Sequence, residues 1–136
     1  MAGADAVIHA GDFVTVAVLE EIESLGRPVH AVYGNVDEPA LRCRIPAELE
    51  LEIDGARIAM VHDAGPRAGR AERLHARFPD AHCAIFGHTH LPEHARVGSF
   101  QAFNPGSPTE RRRAPHRSMG MLEVRGGEPR FSHVRL

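Results

Sequence analysis

Lysine is absent from this sequence, and all 16 of its basic residues are arginine. Beside the many alanines, that bias reads as coding composition and carries no functional meaning. Cysteine is scarce: Cys43 and Cys83 form no C-x-x-C pair and no secretory signal precedes them. Cys83 lies in an apolar run and reads as a small buried hydrophobe. No apolar stretch approaches the roughly 18 residues that would span a membrane. An excess of positive charge is also missing. The net charge of −2 gives no bulk signal for nucleic-acid binding. The expectation is a cytoplasmic protein with no membrane partner.

What the chain has in excess is histidine, ten in 136 residues. Most serve as surface or core side chains, but the number favours a metal site. The length suits one domain, residues 1–136, with a real core. Ala6–His9 reads as a strand, residues 14–25 as a helix with Val18, Leu19, Ile22 and Leu25 at helical spacing and Thr15 as its cap, and Val29–Tyr33 as a second strand. That β-α-β order predicts parallel strands with functional residues at their carboxyl ends. A short helix or turn covers 39–44. Residues 49–53 and 57–61 alternate around Asp54-Gly55, a hairpin signal. Residues 69–78 form a polar helix with Ala71, Leu74 and Phe78 inside and Arg70, Arg73 and Arg77 outside. A strand over 82–86, a hairpin of 93–97 with 100–103, the rigid turn Asn104-Pro105-Gly106-Ser107-Pro108 and a last hairpin of 119–124 with 129–134 complete the chain.

Four strand ends carry residues of metal-ligand type: Asp12, Asn35, His62 and the pair in Gly87-His88-Thr89-His90. Singly, each has a bland reading as a turn or strand-terminal residue. Together they offer a carboxylate, an amide oxygen and imidazoles, a set that suits Mn²⁺, Fe or Zn²⁺ and not a thiolate site. Histidines two apart on a tight turn can diverge toward two adjacent metals, which in two-metal hydrolases lie about 3.5–4 Å apart.

Gly11-Asp12, Gly34-Asn35-Val36-Asp37, His62 and Gly87-His88-Thr89-His90, in this order, resemble the calcineurin-like metallophosphoesterases. More narrowly they resemble the small bacterial YfcE-type phosphodiesterases, of which Asn104-Pro105-Gly106-Ser107 is a further mark. The resemblance implies an α/β fold, an α-β-β-α sandwich of two mixed β-sheets. It also implies a phosphodiesterase acting on a small phosphodiester through a metal-bound hydroxide. By analogy Asp12 bridges two metals, Asn35, His62 and His88 complete one of them, and His90 belongs to the other. Asn35 also reaches a phosphate oxygen. The divalent metal expected is Mn²⁺, with Zn²⁺, Fe or Ni²⁺ as alternatives. Arg111 and Arg112, with Arg113, are candidates to grip a substrate phosphate, since arginine forks fit its oxygens.

Two departures qualify the resemblance. The family opens with a strand ending in Asp-x-His, whose side chains bind the metal that His90 also binds, and nothing before Asp12 supplies both ligands. The expectation is an N-terminally truncated member with one well-held metal and impaired activity, and with sheet edges open to homo-oligomer formation. Val36 stands where many relatives have a histidine able to protonate the leaving group, so general acid catalysis is not expected. Asp37 reads as a structural hydrogen-bonding acid. The alternative function is a non-catalytic scaffold or interaction protein, a role the retromer subunit of this fold fills by analogy.

Overall fold

The structure is a computed structural model that describes residues 5–11, 16–34, 37, 39–107, 114 and 116–136. Strand β1 (Val7–His9) leads through helix α1 (Val16–Glu23) to strand β2 (Val29–Ala31). The two strands pair in parallel, Val7 opposite Val29 and His9 opposite Ala31, as the β-α-β order predicts. Helix α2 (Pro39–Arg44) follows. Strands β3 (Glu48–Ile53) and β4 (Ala56–Val61) form the expected hairpin. Its turn places Asp54 and Gly55 at φ +48° and +88°. Two successive positive φ values match the right-handed strand twist. Helix α3 (Arg70–Arg77), strand β5 (Cys83–Ile85), the hairpin β6 (Glu93–Val97) with β7 (Phe100–Asn104), and the hairpin β8 (Ser118–Arg125) with β9 (Glu128–Arg135) complete the order.

Strands β3 to β7 form one mixed sheet in the order β3-β4-β5-β7-β6, parallel at β4/β5/β7 and antiparallel at both margins. One face carries the apolar side of α3: Leu74 and Phe78 pack on Ala84, Phe86, Phe100 and Ala102. The other face meets Ile8 of β1, Val32, and Leu122 and Phe131 of the last hairpin, over a core of Ile58, Met60, Cys83 and Ile85. Beyond β1 and β2, Leu19 and Ile22 of α1 pack with Leu41 of α2 against Ala31. Helix, sheet, sheet, helix is therefore the layer order. The layer opposite the five-stranded sheet is made of two pairs, β1-β2 and β8-β9. Burying both faces of β4 makes it almost wholly apolar, whereas β3 alternates half-buried Leu49, Leu51 and Ile53 with exposed Glu48, Glu50 and Glu52.

Two expected placements are corrected. Leu25 lies outside the helix stripe and is 51% exposed. The last turn of α1 tightens to i→i−3 bonds, Leu25 N–H to the Ile22 carbonyl and Gly26 N–H to that of Glu23, which rotates Leu25 away from the core. Arg70 is buried, not outward-facing. Its fork donates to both carboxylate oxygens of Glu93 at 2.9 and 3.0 Å and twice to the Gly65 carbonyl, with its plane over the Phe86 ring. A guanidinium so fully bonded tolerates burial. Thr15 lies outside the described residues. Among them, no helix is long and apolar enough to cross a membrane.

Candidate metal centre

The carboxyl ends of β1, β2, β4 and β5 converge, two from each facing sheet. Each strand supplies apolar side chains to the core and then runs into glycine or histidine. The Val32 amide donates to the His9 carbonyl at 3.2 Å, and the Gly87 amide to the His62 carbonyl at 2.9 Å. The two sheets are joined at this point by His62 itself, whose Nδ1 lies 2.7 Å from the Ala10 carbonyl. Gly11 has φ +103°, and a Cβ there would stand 2.5 Å from His62 Nδ1 and 2.8 Å from the Gly34 nitrogen. Only glycine lets the three segments approach so closely.

His62 is buried. Because a carbonyl oxygen can only accept, Nδ1 carries a proton, and in the neutral ring Nε2 is then the nitrogen with the lone pair. That lone pair faces His88 Nδ1 at 3.3 Å, with the two rings edge to face at 80°. Two imidazole nitrogens bound about 2.0–2.1 Å from one tetrahedral metal stand about 3.4 Å apart, so this spacing and the fixed tautomer fit a shared ion. The other nitrogen of His88 lies 4.0 Å from Asp63 Oδ2.

His88 and His90 take φ +70° and +60°. Left-handed backbone at two side-chain-bearing residues costs about 1–2 kcal/mol each, and the surroundings hold it. The Thr89 amide donates to the Gly87 carbonyl. The fully buried amide of Asn104 donates to that same carbonyl at 3.2 Å and to Thr89 Oγ1 at 3.1 Å. Asn104 in turn accepts from Gly106 N–H at 2.9 Å, and its carbonyl accepts from His133 Nε2 at 2.7 Å. On the other rim, Asp37 is buried and its carboxylate accepts from Gly34 N–H at 2.7 Å, a structural role in keeping with the sequence.

Of the sequence-predicted ligands, the structure thus brings His62 and His88 together, with His90 two residues on. Asp12 and Asn35 lie outside the described residues, though Gly11 and Gly34, which precede them, stand beside His62. Arg111, Arg112 and Arg113 also lie outside them. Among the described residues no three His, Cys, Asp or Glu side chains form a metal-sized group. The sequence reading gave no role to Asp63 or His133. Asp63 had a faint signal in following His62 directly, while the bond from His133 to Asn104 spans 29 residues and has no local signature.

The calcineurin-like phosphoesterase superfamily domain matches residues 1–127. A probable metallophosphoesterase of Methanocaldococcus jannaschii, MJ0623, is 33% identical over 123 residues, 88% of this chain and 61% of that protein. The phosphodiesterase MJ0936 of the same organism is 30% identical over 116 residues, 75% of this chain and 66% of that one. The chain therefore spans less than two thirds of the length of these relatives. Thermotoga maritima protein TM1076, solved by NMR, superposes with a TM-score of 0.74 at 32% identity over 97% of this chain and 81% of its own. Zinc-complexed Vps29 of Entamoeba histolytica shares the fold, with a TM-score of 0.73 at 23% identity over 96% of this chain and 82% of its own. With its ordered strand-end residues, its four-layer fold and a match over nearly its whole length, this chain belongs to the calcineurin-like phosphoesterase superfamily.

Proposed function

We propose that this protein hydrolyses a phosphodiester with the help of a divalent metal held by His62 and His88 together with Asp12 and Asn35. The observation that carries the reading is the pair of facing nitrogens, His62 Nε2 and His88 Nδ1, 3.3 Å apart, with the tautomer of His62 fixed by the Ala10 carbonyl. The relative named a phosphodiesterase supports the diester class. Mn²⁺ is the first candidate, and Zn²⁺, Fe and Ni²⁺ suit the same donors. When bound, such a metal supplies charge neutralisation at phosphorus and activation of a water nucleophile.

The chain's own residues do the rest. His62 and His88 would donate to the metal through Nε2 and Nδ1, His62 oriented by the Ala10 carbonyl at its other nitrogen and His88 with the Asp63 carboxylate 4.0 Å from its own. The Asn35 amide orients a phosphate oxygen. Asp37 fixes the Gly34 turn that leads into it. Val36 has no proton to give, so the leaving group departs unassisted and diesters of acidic alcohols react best. Asp12, Asn35, His62 and His88 would hold one ion, and His90 is a donor for a second.

The test is metal content after gel filtration, with hydrolysis of bis(p-nitrophenyl) phosphate under Mn²⁺, Zn²⁺, Fe²⁺ and Ni²⁺. Near-stoichiometric retention and turnover are expected, both lost in His88→Ala. Retention unchanged in His88→Ala overturns the ligand assignment. Inertness with every metal overturns the hydrolase and leaves the scaffold reading.

A further inference from the structure

An open cleft of about 300 Å³ adjoins the histidine pair, lined by Tyr33, Gly34, Arg42, His62, Asp63 and Arg77 among others. Its lining therefore includes a proposed metal ligand and two arginines, beside the one carboxylate of Asp63. The two arginines differ. Arg77 is paired with Glu48, and neighbouring Arg44, outside the cleft, is paired with Glu20 and Glu23 at 3.3 and 3.0 Å. Arg42 is exposed and, among the described residues, has no carboxylate partner. It lies instead over the face of Tyr33, 5.0 Å from the ring centroid. That contact leaves the guanidinium edge, where its N–H donors point, open to an oxyanion. The volume is at the small end for ligand clefts, enough for a substituent of a small molecule and not for a macromolecular strand.

We propose that this cleft seats the non-scissile end of the substrate, that this end carries a second phosphate, and that Arg42 is the specificity residue that reads it. The inference rests on the phosphodiester reading and adds the charge of the substrate's far end. Arg77 contributes less, since its charge is engaged by Glu48.

Tyr33 makes the proposal directly measurable. It is the single tyrosine of a chain without tryptophan, so the protein's emission under 275 nm excitation reports on this cleft alone. Metal-free protein is titrated with inorganic phosphate and with methylenediphosphonate. The expected result is a saturable change in Tyr33 emission, at least fivefold tighter for the diphosphonate. Arg42→Gln abolishes the change and Arg42→Lys retains part of it, with thermal melts showing both variants folded. In metal-loaded protein, kcat/KM for the p-nitrophenyl 5′-ester of thymidine 3′,5′-bisphosphate exceeds that for p-nitrophenyl thymidine 5′-phosphate by at least tenfold, and the gap closes in Arg42→Gln. A flat titration, a response kept within twofold in folded Arg42→Gln, or equal turnover of the two esters overturns the proposal while leaving the hydrolase intact. Turnover of neither ester overturns the hydrolase reading, and the emission titration then decides the cleft by itself.

Discussion

Asn104 is hydrogen-bonded to Thr89 across two strand ends, its side-chain amide 3.1 Å from the threonine hydroxyl. The same amide holds the Gly87 carbonyl, so both arms of the turn bearing His88 hang on one buried side chain. Asn104→Ala leaves the Gly87 carbonyl and Thr89 Oγ1 with only the Thr89 and Leu91 amides as donors, and takes the acceptor from Gly106 N–H, at about 1–3 kcal/mol in all. It also frees the strained backbone that aims His88. Metal affinity is expected to fall about 10–100-fold, read by competition with a chromophoric chelator. An unchanged affinity with lowered stability would make Asn104 a core residue only.

Gly11 is the point where β1, the Gly34 turn and His62 touch. Gly11→Ala places a methyl 2.5 Å from His62 Nδ1 at a φ of +103°. The backbone cost alone is about 1–2 kcal/mol, and the clash pushes His62 off the Ala10 carbonyl. The expected outcome is a melting temperature lower by about 5 °C or more together with weakened metal retention. A stable variant with full retention would contradict the close approach.

The two cysteines separate on accessibility. Cys43 is exposed, while Cys83 is buried and its thiol is pushed up to about 12 by desolvation. Native protein at pH 8 is expected to react with one equivalent of a thiol reagent, at Cys43, and with a second only on unfolding. The neutral thiol is favoured in the fold. Its stabilising contribution is therefore complete below the ordinary thiol pKa of 9.0 and is lost as pH rises toward about 12. Urea midpoints falling between pH 9 and 11 in wild type, and falling less in Cys83→Ala, check the sign.

The buried Arg70–Glu93 pair ties the start of α3 to β6. Removing Glu93 leaves the buried Arg70 charge without a carboxylate, at about 3 kcal/mol or somewhat less, whereas Glu93 without Arg70 still has Arg67 at 3.5 Å and loses less. A double change to Met and Gln is expected to cost less than the sum of the singles by at least about 1 kcal/mol. Additive losses in urea denaturation would show the pair to be uncoupled.

Most of the fold was legible because the chain alternates cleanly between glycine-terminated apolar strands and two short amphipathic helices. The β3–β4 hairpin followed from Asp54-Gly55, and parallel pairing of β1 with β2 followed from the helix between them. Leu25 was misplaced because periodicity assumes a constant 100° per residue and cannot foresee a tightened last turn. Arg70 was misplaced because its partners, Glu93 and the Gly65 carbonyl, are tertiary. At the site, residue types at strand ends pointed to His62 and His88. The tautomer of His62, its bond to Ala10 and the brace from Asn104 depend on segments 15 to 52 residues apart, which no local pattern encodes.

In the proposed centre His62 and His88 bind one metal through Nε2 and Nδ1. Long-range ¹⁵N–¹H correlation spectra of the imidazoles, recorded before and after one equivalent of Zn²⁺, test it most directly. The expected result is a Nδ1-protonated His62 in the metal-free protein, then a metal-induced shift at Nε2 of His62 and Nδ1 of His88. Zinc saturating elsewhere with both nitrogens unmoved, or His62 protonated on Nε2, would contradict it.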